Sequence, residues 1–388
     1  MIVFISNFLN HHQYPVANEL YHLTGGEYRF IETEPMPEWI KKGGYSEYEN
    51  LPWLVQVWRD EVAPGIVERL TLEADVVVWC HNLYINLICE RLRRGLLTFE
   101  FGERWFKKGL LNVFSPNLLK SQFYYHTHFF NKSLYRLNAS AYAANDLRLL
   151  LSFRNKMFKW GYFTSVPEFE KDNLEAVRDV SRLKLLFVAR FLSWKHPELP
   201  VLVARELKKK GYDFEINMYG TGPEYKKIQY LIEKYDLVDV VNLCGNRPNS
   251  EILAEMRKHD IFLFTSDRHE GWGAVLNEAM GSKCAVVASD EIGSVPFLIK
   301  NNDNGMIFKS KSIKDLTTKV EYLINNPQKC RLMGDRAYHT LKNEWSPRRA
   351  AENFLQLIQA INGGCPNKIK DGPCSPAQPI NRNTLCQS

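Results

Sequence analysis

Two glutamates, Glu270 and Glu278, stand eight residues apart in a glycine-containing stretch, Glu270-Gly-Trp-Gly-Ala-Val-Leu-Asn-Glu278. The apolar run 260–266 before them predicts a buried strand, and a helical pattern starts at Ala274. Gly271 and Gly273 therefore fall at a strand-to-helix turn, where backbone approaches a ligand closely. Helix starts bind anions such as a diphosphate, and carboxylates accept hydrogen bonds from sugar hydroxyls. The spacing alone would be typical of a solvated helix face, but this context favours a binding site.

Two cations, Arg190 and Lys195, follow another predicted strand, 183–189. An arginine fork and a lysine point charge at the carboxyl end of a strand can hold two sides of a diphosphate. Such cations are also common on protein surfaces. Their place after a strand favours the binding interpretation.

The segment from 183 to about 308 resembles retaining glycosyltransferase family 4, which carries Glu-x7-Glu at this place, and Glu-Ala-Met follows here as it does in the family. The resemblance covers the N-terminal half only in outline. It implies a GT-B fold, in which two Rossmann-like α/β domains face each other across a cleft.

The resemblance also implies roles for individual residues. Glu278 would bind the ribose of a nucleotide-diphosphate sugar, Glu270 the transferred sugar, and Arg190 with Lys195 the diphosphate. Further donor contacts are implied for Gly220, Gly222, Asn246, Arg247, Gly271, Trp272, Gly273, Ala274 and Val275.

The implied activity is transfer of a hexose or other sugar to a glycan or lipid-linked acceptor, with retention of configuration, as in polysaccharide biosynthesis. We expect no cofactor and no metal, because no Asp-x-Asp follows a strand and the cations with the helix dipole can neutralise the leaving diphosphate. A nucleotide-sugar epimerase of the same fold and a non-catalytic nucleotide-sugar-binding module remain alternatives.

Polar residues after the N-terminal strands are candidates for the acceptor side. His11 and His12 follow the strand 2–5, where a loop either contacts substrate or is merely exposed. In the family a residue from this sheet, often histidine, approaches the transferred sugar. His81 or Glu100 could fill that role, although either could instead cap a helix or pair with Arg104.

The length of 388 residues predicts two domains. We expect a Rossmann-like acceptor-side domain over 1–170, a linker near 168–182 and a Rossmann-like donor domain over 183–345. A helix over 346–362, with Ser346 as its N-cap, is expected to cross back to the first domain. The remainder, 363–388, has no periodicity and is predicted to be disordered.

Composition favours a folded cytoplasmic protein. Hydrophobic residues make up 45%, and a net charge of +6 is too modest to indicate nucleic-acid binding. The eight cysteines are scattered without Cys-x-x-Cys, which favours reduced thiols. The first residues lack the basic region of a signal peptide and predict a strand, and no apolar run is long enough to span a bilayer.

Charge is unevenly placed within the predicted first domain. From 104 to 145 there is no Asp or Glu, and aromatic residues alternate with basic ones. Aromatic rings beside cations suit the surface of an anionic membrane. The alternative is that the rings form core and the cations its solvated rim. The basic residues are Arg104, Lys107, Lys108, Lys120, Lys132 and Arg136; the aromatic ones are Trp105, Phe106, Phe114, Phe123, Tyr124, Tyr125, Phe129 and Phe130.

Overall fold

The computed structural model describes residues 1–41, 44–45, 47–59, 63–80, 83–169 and 182–386. The chain forms two compact units. Unit 1 comprises Met1–Ser165 and Glu344–Ile380, and unit 2 comprises Val166–Asn343 and Asn381–Ser388. The chain therefore passes between the units three times. Most of the predicted linker, 170–181, lies outside the described residues.

The secondary structure alternates strands and helices along most of the chain. The strands are β1 (Ile2–Ser6), β2 (Tyr28–Glu32), β3 (Leu54–Gln56), β4 (Val76–Trp79), β5 (Leu97–Gly102), β6 (Leu134–Asn138), β7 (Met157–Lys159), β8 (Leu183–Val188), β9 (Phe214–Tyr219), β10 (Val241–Gly245), β11 (Ile261–Phe264), β12 (Ala285–Ser289) and β13 (Met306–Phe308). The helices are α1 (Tyr14–Leu23), α2 (Glu38–Lys41), α3 (Ile66–Glu73), α4 (Ile85–Arg93), α5 (Pro116–His126), α6 (Ala143–Leu149), α7 (Glu198–Lys209), α8 (Tyr225–Lys234), α9 (Asn249–Met256), α10 (Val275–Gly281), α11 (Val295–Leu298), α12 (Ile313–Asn325), α13 (Pro327–Asn343), α14 (Pro347–Asn362) and α15 (Arg382–Leu385). None of the described helices combines the length and the apolar character needed to cross a bilayer.

Unit 1 is built on a parallel sheet whose described strands run in the order β3-β2-β1-β4-β5-β6-β7. The residues of β4 are all buried because helices cover both faces of the sheet. The helix α14 packs against α1 and belongs to this unit. Its Phe354 ring lies 5.9 Å from that of Phe4, 5.2 Å from Phe99 and 5.6 Å from Trp160. Ser346 caps α14 as predicted, accepting a hydrogen bond from the Arg349 amide at 3.2 Å.

The C-terminal segment is ordered, so the prediction of a disordered tail is wrong for its described part, 363–386. The Cys374 amide donates to the Lys159 carbonyl at 2.7 Å, and the Lys159 amide donates to Ser375 at 2.8 Å. The segment thereby covers the open edge of β7, whose backbone groups would otherwise lack partners. Beyond it, Arg382 of unit 2 forms a fork to Asp290, with its Nε 2.7 Å from Oδ2 and its Nη2 2.8 Å from Oδ1.

Unit 2 has a parallel sheet whose described strands run in the order β10-β9-β8-β11-β12-β13. The order reverses between β8 and β11, which are neighbours although they are distant in sequence. In such sheets ligands bind at the carboxyl ends of the strands that flank this reversal. The loops that follow β8 and β11 hold the cations and glutamates singled out from the sequence.

Candidate active site

The loops after β8 and β11 bring Lys195 and Glu270 into direct contact. The Lys195 ammonium forms an ion pair with Glu270 Oε2, and the Ser266 hydroxyl donates to the same oxygen at 2.9 Å. The Trp194 ring packs beneath the ammonium, with its centre 4.4 Å from Nζ. Both partners are mostly buried, with side-chain exposures of 14% and 10%. A cation and a carboxylate predicted from separate motifs thus form one polar centre.

Backbone contacts hold the two loops together. Thr265 Oγ1 donates to the Lys195 carbonyl at 2.7 Å, and the Asp267 amide donates to the Trp194 carbonyl at 3.0 Å. These bonds fix the loop that carries the lysine relative to the loop that carries Glu270. The Lys195–Glu270 pair therefore has little freedom before a ligand binds.

A second polar cluster beside this pair was missed in the sequence. His196 bridges two carboxylates, with Nδ1 2.9 Å from Glu198 Oε1 and Nε2 3.3 Å from Asp267 Oδ2. Burial alone would raise the pKa of Asp267, but hydrogen bonds from the backbone and ring of His269 and from His196 lower this pKa to about 2. Burial opposes the charge on His196, yet its bonds to the two carboxylates raise its pKa. The position of His196 directly after Lys195 could have indicated this cluster from the sequence.

Glu278 lies in the first turn of α10. Asn249 Nδ2 donates to Glu278 Oε1 at 2.9 Å. Burial raises the pKa of Glu278 from 4.5 to about 7, and the bond from Asn249 only partly offsets this. A carboxyl group with this pKa changes its charge near neutral pH.

Three glycines are required by close packing around these loops. A side chain at Gly220 would overlap the Ala189 carbonyl, and a Cβ at Gly222 would lie 2.6 Å from the Phe191 carbonyl oxygen. At Gly273, with φ +80°, a Cβ would overlap the Phe264 ring. Gly220 and Gly222 therefore support the loop that carries Arg190. The role predicted for these two glycines was contact with the donor.

The remaining residues predicted to contact the donor differ in their exposure to solvent. Arg190 is exposed on the loop after β8, and Asn246 and Arg247 are exposed after β10. Gly273, Ala274 and Val275 are partly exposed at the start of α10, whereas Gly271 is buried. Trp272 is fully buried, and its indole N–H donates to Asn277 Oδ1 at 2.9 Å. The Trp272 side chain therefore holds the turn in place, and the donor contact expected of this residue stays a prediction.

Comparison with known proteins shows a family similarity over unit 2. Residues 169–340 match the family Glycosyl transferases group 1. That region contains every donor-side residue named above. The match is confined to unit 2, where the polar centre lies.

Individual relatives are similar over part of the chain. The chain is 35% identical over 147 residues to amylovoran biosynthesis glycosyltransferase AmsK of Erwinia amylovora, covering 36% of either protein. It is 28% identical over 173 residues to poly(ribitol-phosphate) alpha-N-acetylglucosaminyltransferase of Staphylococcus aureus, covering 45% of this chain and 34% of that protein. The matched part thus spans less than half the length of each relative.

A solved structure extends the likeness to nearly the whole fold. Anabaena HepE in complex with UDP is 12% identical, and the superposition has a TM-score of 0.67 and covers 92% of this chain and 99% of HepE. Such low identity supports the architecture alone. The two parallel-sheet units have the Rossmann-like organisation of the GT-B fold, as predicted.

The predicted acceptor-side histidines lie in unit 1 after β1, where its strand order reverses towards β4. The His11 ring stacks on Tyr45 with centres 4.1 Å apart, and His12 packs against Tyr162 at the same distance. Burial lowers the pKa of His11 to about 4; burial, and then the charge of His11, lowers the pKa of His12 well below its usual value. Both rings are therefore neutral at pH 7.

Glu100 has a structural partner that the sequence did not indicate. Its carboxylate pairs with the buried Arg136 at 2.6 Å and accepts a hydrogen bond from the Tyr125 hydroxyl. Arg104, the partner considered for it, instead pairs with Asp146 at 3.1 Å. Glu100 is thus committed to the interior of unit 1, against the prediction that it reaches the transferred sugar. His81, the alternative, lies outside the described residues.

Proposed function

We propose that this protein is a glycosyltransferase that moves a sugar from a nucleotide-diphosphate sugar to a glycan or lipid-linked acceptor, with retention of anomeric configuration. The observation that carries the proposal is the contact of Lys195 with Glu270 where the unit 2 sheet reverses its strand order. The family match over 169–340 supports the reaction class.

Each donor-side residue then has a chemical task. The Glu278 carboxylate accepts hydrogen bonds from the ribose hydroxyls, while Arg190 and Lys195 hold the diphosphate. The amides of Gly273, Ala274 and Val275, residues that are partly exposed at the start of α10, add donors to the phosphates. Glu270 carries charge that Lys195 and Ser266 already compensate, so it is suited to orient sugar hydroxyls.

Retention requires that the acceptor oxygen bonds to the anomeric carbon on the face from which the diphosphate departs. The bond from the anomeric carbon to the phosphate oxygen breaks with its electron pair on the leaving group. That phosphate oxygen then takes the acceptor's proton, and no protein nucleophile takes part. Arg190 and Lys195 stabilise the departing charge.

We further propose that the transfer needs no metal ion. Arg190 and Lys195 both lie on the loop after β8, to which we assign the diphosphate, so side chains can compensate the leaving charge. Turnover that survives exhaustive chelation is the expected result, and loss of turnover that added Mg²⁺ or Mn²⁺ restores would contradict it.

The reaction class is tested with radiolabelled nucleotide sugars, beginning with UDP-sugars because HepE was solved with UDP. We expect label to move to acceptor only when membrane lipid extract or glycan is added, and Lys195→Ala to abolish the transfer. A changed sugar still on its nucleotide would indicate an epimerase, and tight binding without turnover a binding module. The anomeric proton coupling of the product then decides whether configuration is retained.

A further inference from the structure

Unit 1 exposes a set of large apolar side chains on two adjoining short helices. Leu110, Leu111 and Phe114 belong to the 3-10 helix Leu110–Phe114, and their exposures are 65%, 81% and 71%. Leu119 and Phe123 lie on α5, which begins two residues later, and are 51% and 58% exposed. These five residues are called the apolar ridge below. Exposed apolar side chains concentrated in this way usually mark an interaction surface.

The ridge faces outward because the opposite side of α5 is anchored in the core. Ser121 and Tyr125, one turn apart, are buried, and the Tyr125 hydroxyl donates to Glu100, the partner of buried Arg136. Leu119 and Phe123 are also one turn apart but are offset by two residues, which directs them to the other face. A specific polar anchor therefore sets the exposure of the ridge.

The sequence around the ridge has more basic than acidic residues, and the carboxylate just before it, Glu103, is 24% exposed and paired with Lys107. Lys108 and Lys120 are exposed beside the ridge, and Arg148 and Arg154 are exposed on neighbouring segments. From 104 to 167 the sequence has a single acidic residue, Asp146. Asp146 is buried and paired with Arg104, so it does not offset the exposed cations.

We propose that the apolar ridge docks unit 1 on an anionic lipid bilayer. The leucine and phenylalanine side chains enter the boundary of the acyl chains, and the lysines meet the negative head groups. This proposal rests on the proposed function and deepens it, because docking would bring the enzyme to a lipid-linked acceptor at the membrane.

The structure changes the composition of the patch expected from the sequence. Phe106, Tyr125 and Phe129 are buried core residues, and Arg136 is buried in its ion pair with Glu100. Leucines that the aromatic pattern did not include, above all Leu111, are the most exposed members. The surface that could meet lipid is therefore narrower and more aliphatic than predicted.

Charge distinguishes a bilayer from a second copy of the chain. A symmetric pairing through the ridge would bring Lys108 and Lys120 of one copy near the same lysines of the other. Like charges disfavour such an interface, whereas anionic lipid compensates the same cations. The exposed cations therefore favour an anionic bilayer over a second copy of the chain as the partner of the ridge.

The test is sedimentation of the full chain with vesicles of phosphatidylcholine, alone or mixed equally with phosphatidylglycerol, at low and high salt. We expect pelleting with the mixed vesicles that weakens as salt rises. Lys108→Glu should weaken it about fivefold or more, from the loss of one head-group attraction. Leu111→Ser with Phe114→Ser should weaken it at least about tenfold, even at low salt, because apolar burial is lost.

Matched variants in unit 2 serve as controls. Leu332 is 56% exposed and Lys226 is exposed there, so Leu332→Ser and Lys226→Glu should pellet like the wild type. Thermal melts of each variant establish that it is folded. Titration with nucleoside diphosphate measures the unit 2 site separately, so loss of lipid binding and loss of the proposed reaction are distinguishable.

Three results would overturn the proposal. The first is equal pelleting with neutral and mixed vesicles, or none with either. The second is wild-type pelleting by the folded Leu111→Ser, Phe114→Ser variant. The third is a dimer in the absence of lipid that this variant abolishes, because the ridge would then be an interface between copies.

Discussion

Glu278 offers a sharp test of the site because its charge should control nucleotide affinity near neutral pH. With a pKa of about 7, the carboxyl is about nine-tenths ionised at pH 8 and about one-tenth ionised at pH 6. Hydrogen bonds from ribose hydroxyls to the charged carboxylate contribute about 1.5–3 kcal/mol. The association constant for the nucleoside diphosphate should therefore fall about five- to ninefold from pH 8 to pH 6.

The assay is calorimetric titration of the wild type and of Glu278→Gln at both pH values. The ligand phosphate also titrates in this range, but the ratio of the two proteins' affinities at each pH removes that contribution. We expect this ratio to favour the wild type at pH 8 and to be about five- to ninefold smaller at pH 6. A ratio that is the same at both pH values would refute the assignment of Glu278 to the ribose.

The same residue should affect stability in the opposite direction. Burial raises the folded-state pKa of Glu278, so ionisation is costly in the folded protein. That cost is absent below the ordinary pKa of about 4.5, grows as pH rises, and is complete above about 7. Glu278→Gln should therefore melt at a higher temperature than the wild type at pH 8 and at the same temperature near pH 4.

Three further substitutions test individual contacts. Lys195→Ala should reduce turnover by more than it weakens binding of the free nucleoside, which lacks phosphates; unchanged turnover would exclude the phosphate role. Glu100→Gln should destabilise unit 1 by about 3–5 kcal/mol in denaturant titrations because Arg136 is left as an unpaired buried charge, and a fall in turnover without a fall in stability would restore Glu100 to the site. Gly220→Ala should lower the melting temperature and weaken diphosphate binding, since the added methyl group displaces the loop of Arg190; a variant indistinguishable from the wild type would show that the loop adapts.

Much of the donor unit could be predicted because its signals are local. The runs 183–189 and 260–266 predict β8 and β11 to within two residues at each end, since each is an apolar run before a polar turn. Glu270 and Lys195 could also be assigned, because a residue at the carboxyl end of a parallel strand has a determined place in the sheet. Strand order brings those ends together without further information from side chains.

The failures arose where a residue's role depends on distant partners. Glu100 pairs with Arg136 across neighbouring strands, and nothing in the local pattern distinguishes that pair from a pair with Arg104. The segment after α14 is polar and aperiodic, but backbone bonds to the edge strand β7 order it.

The three passages of the chain between the units have a consequence for synthesis on the ribosome. The sheet of unit 1 is translated first, but Phe354, which packs between Phe4 and Trp160, is translated after most of unit 2. The nascent chain therefore lacks the helix that covers Phe4 and Phe99 for much of translation. Although unit 2 begins later in the sequence, the described strands of its sheet are translated before α14, the last helix of unit 1. The core of unit 2 can therefore be completed before the core of unit 1, although an N-terminal domain usually folds first.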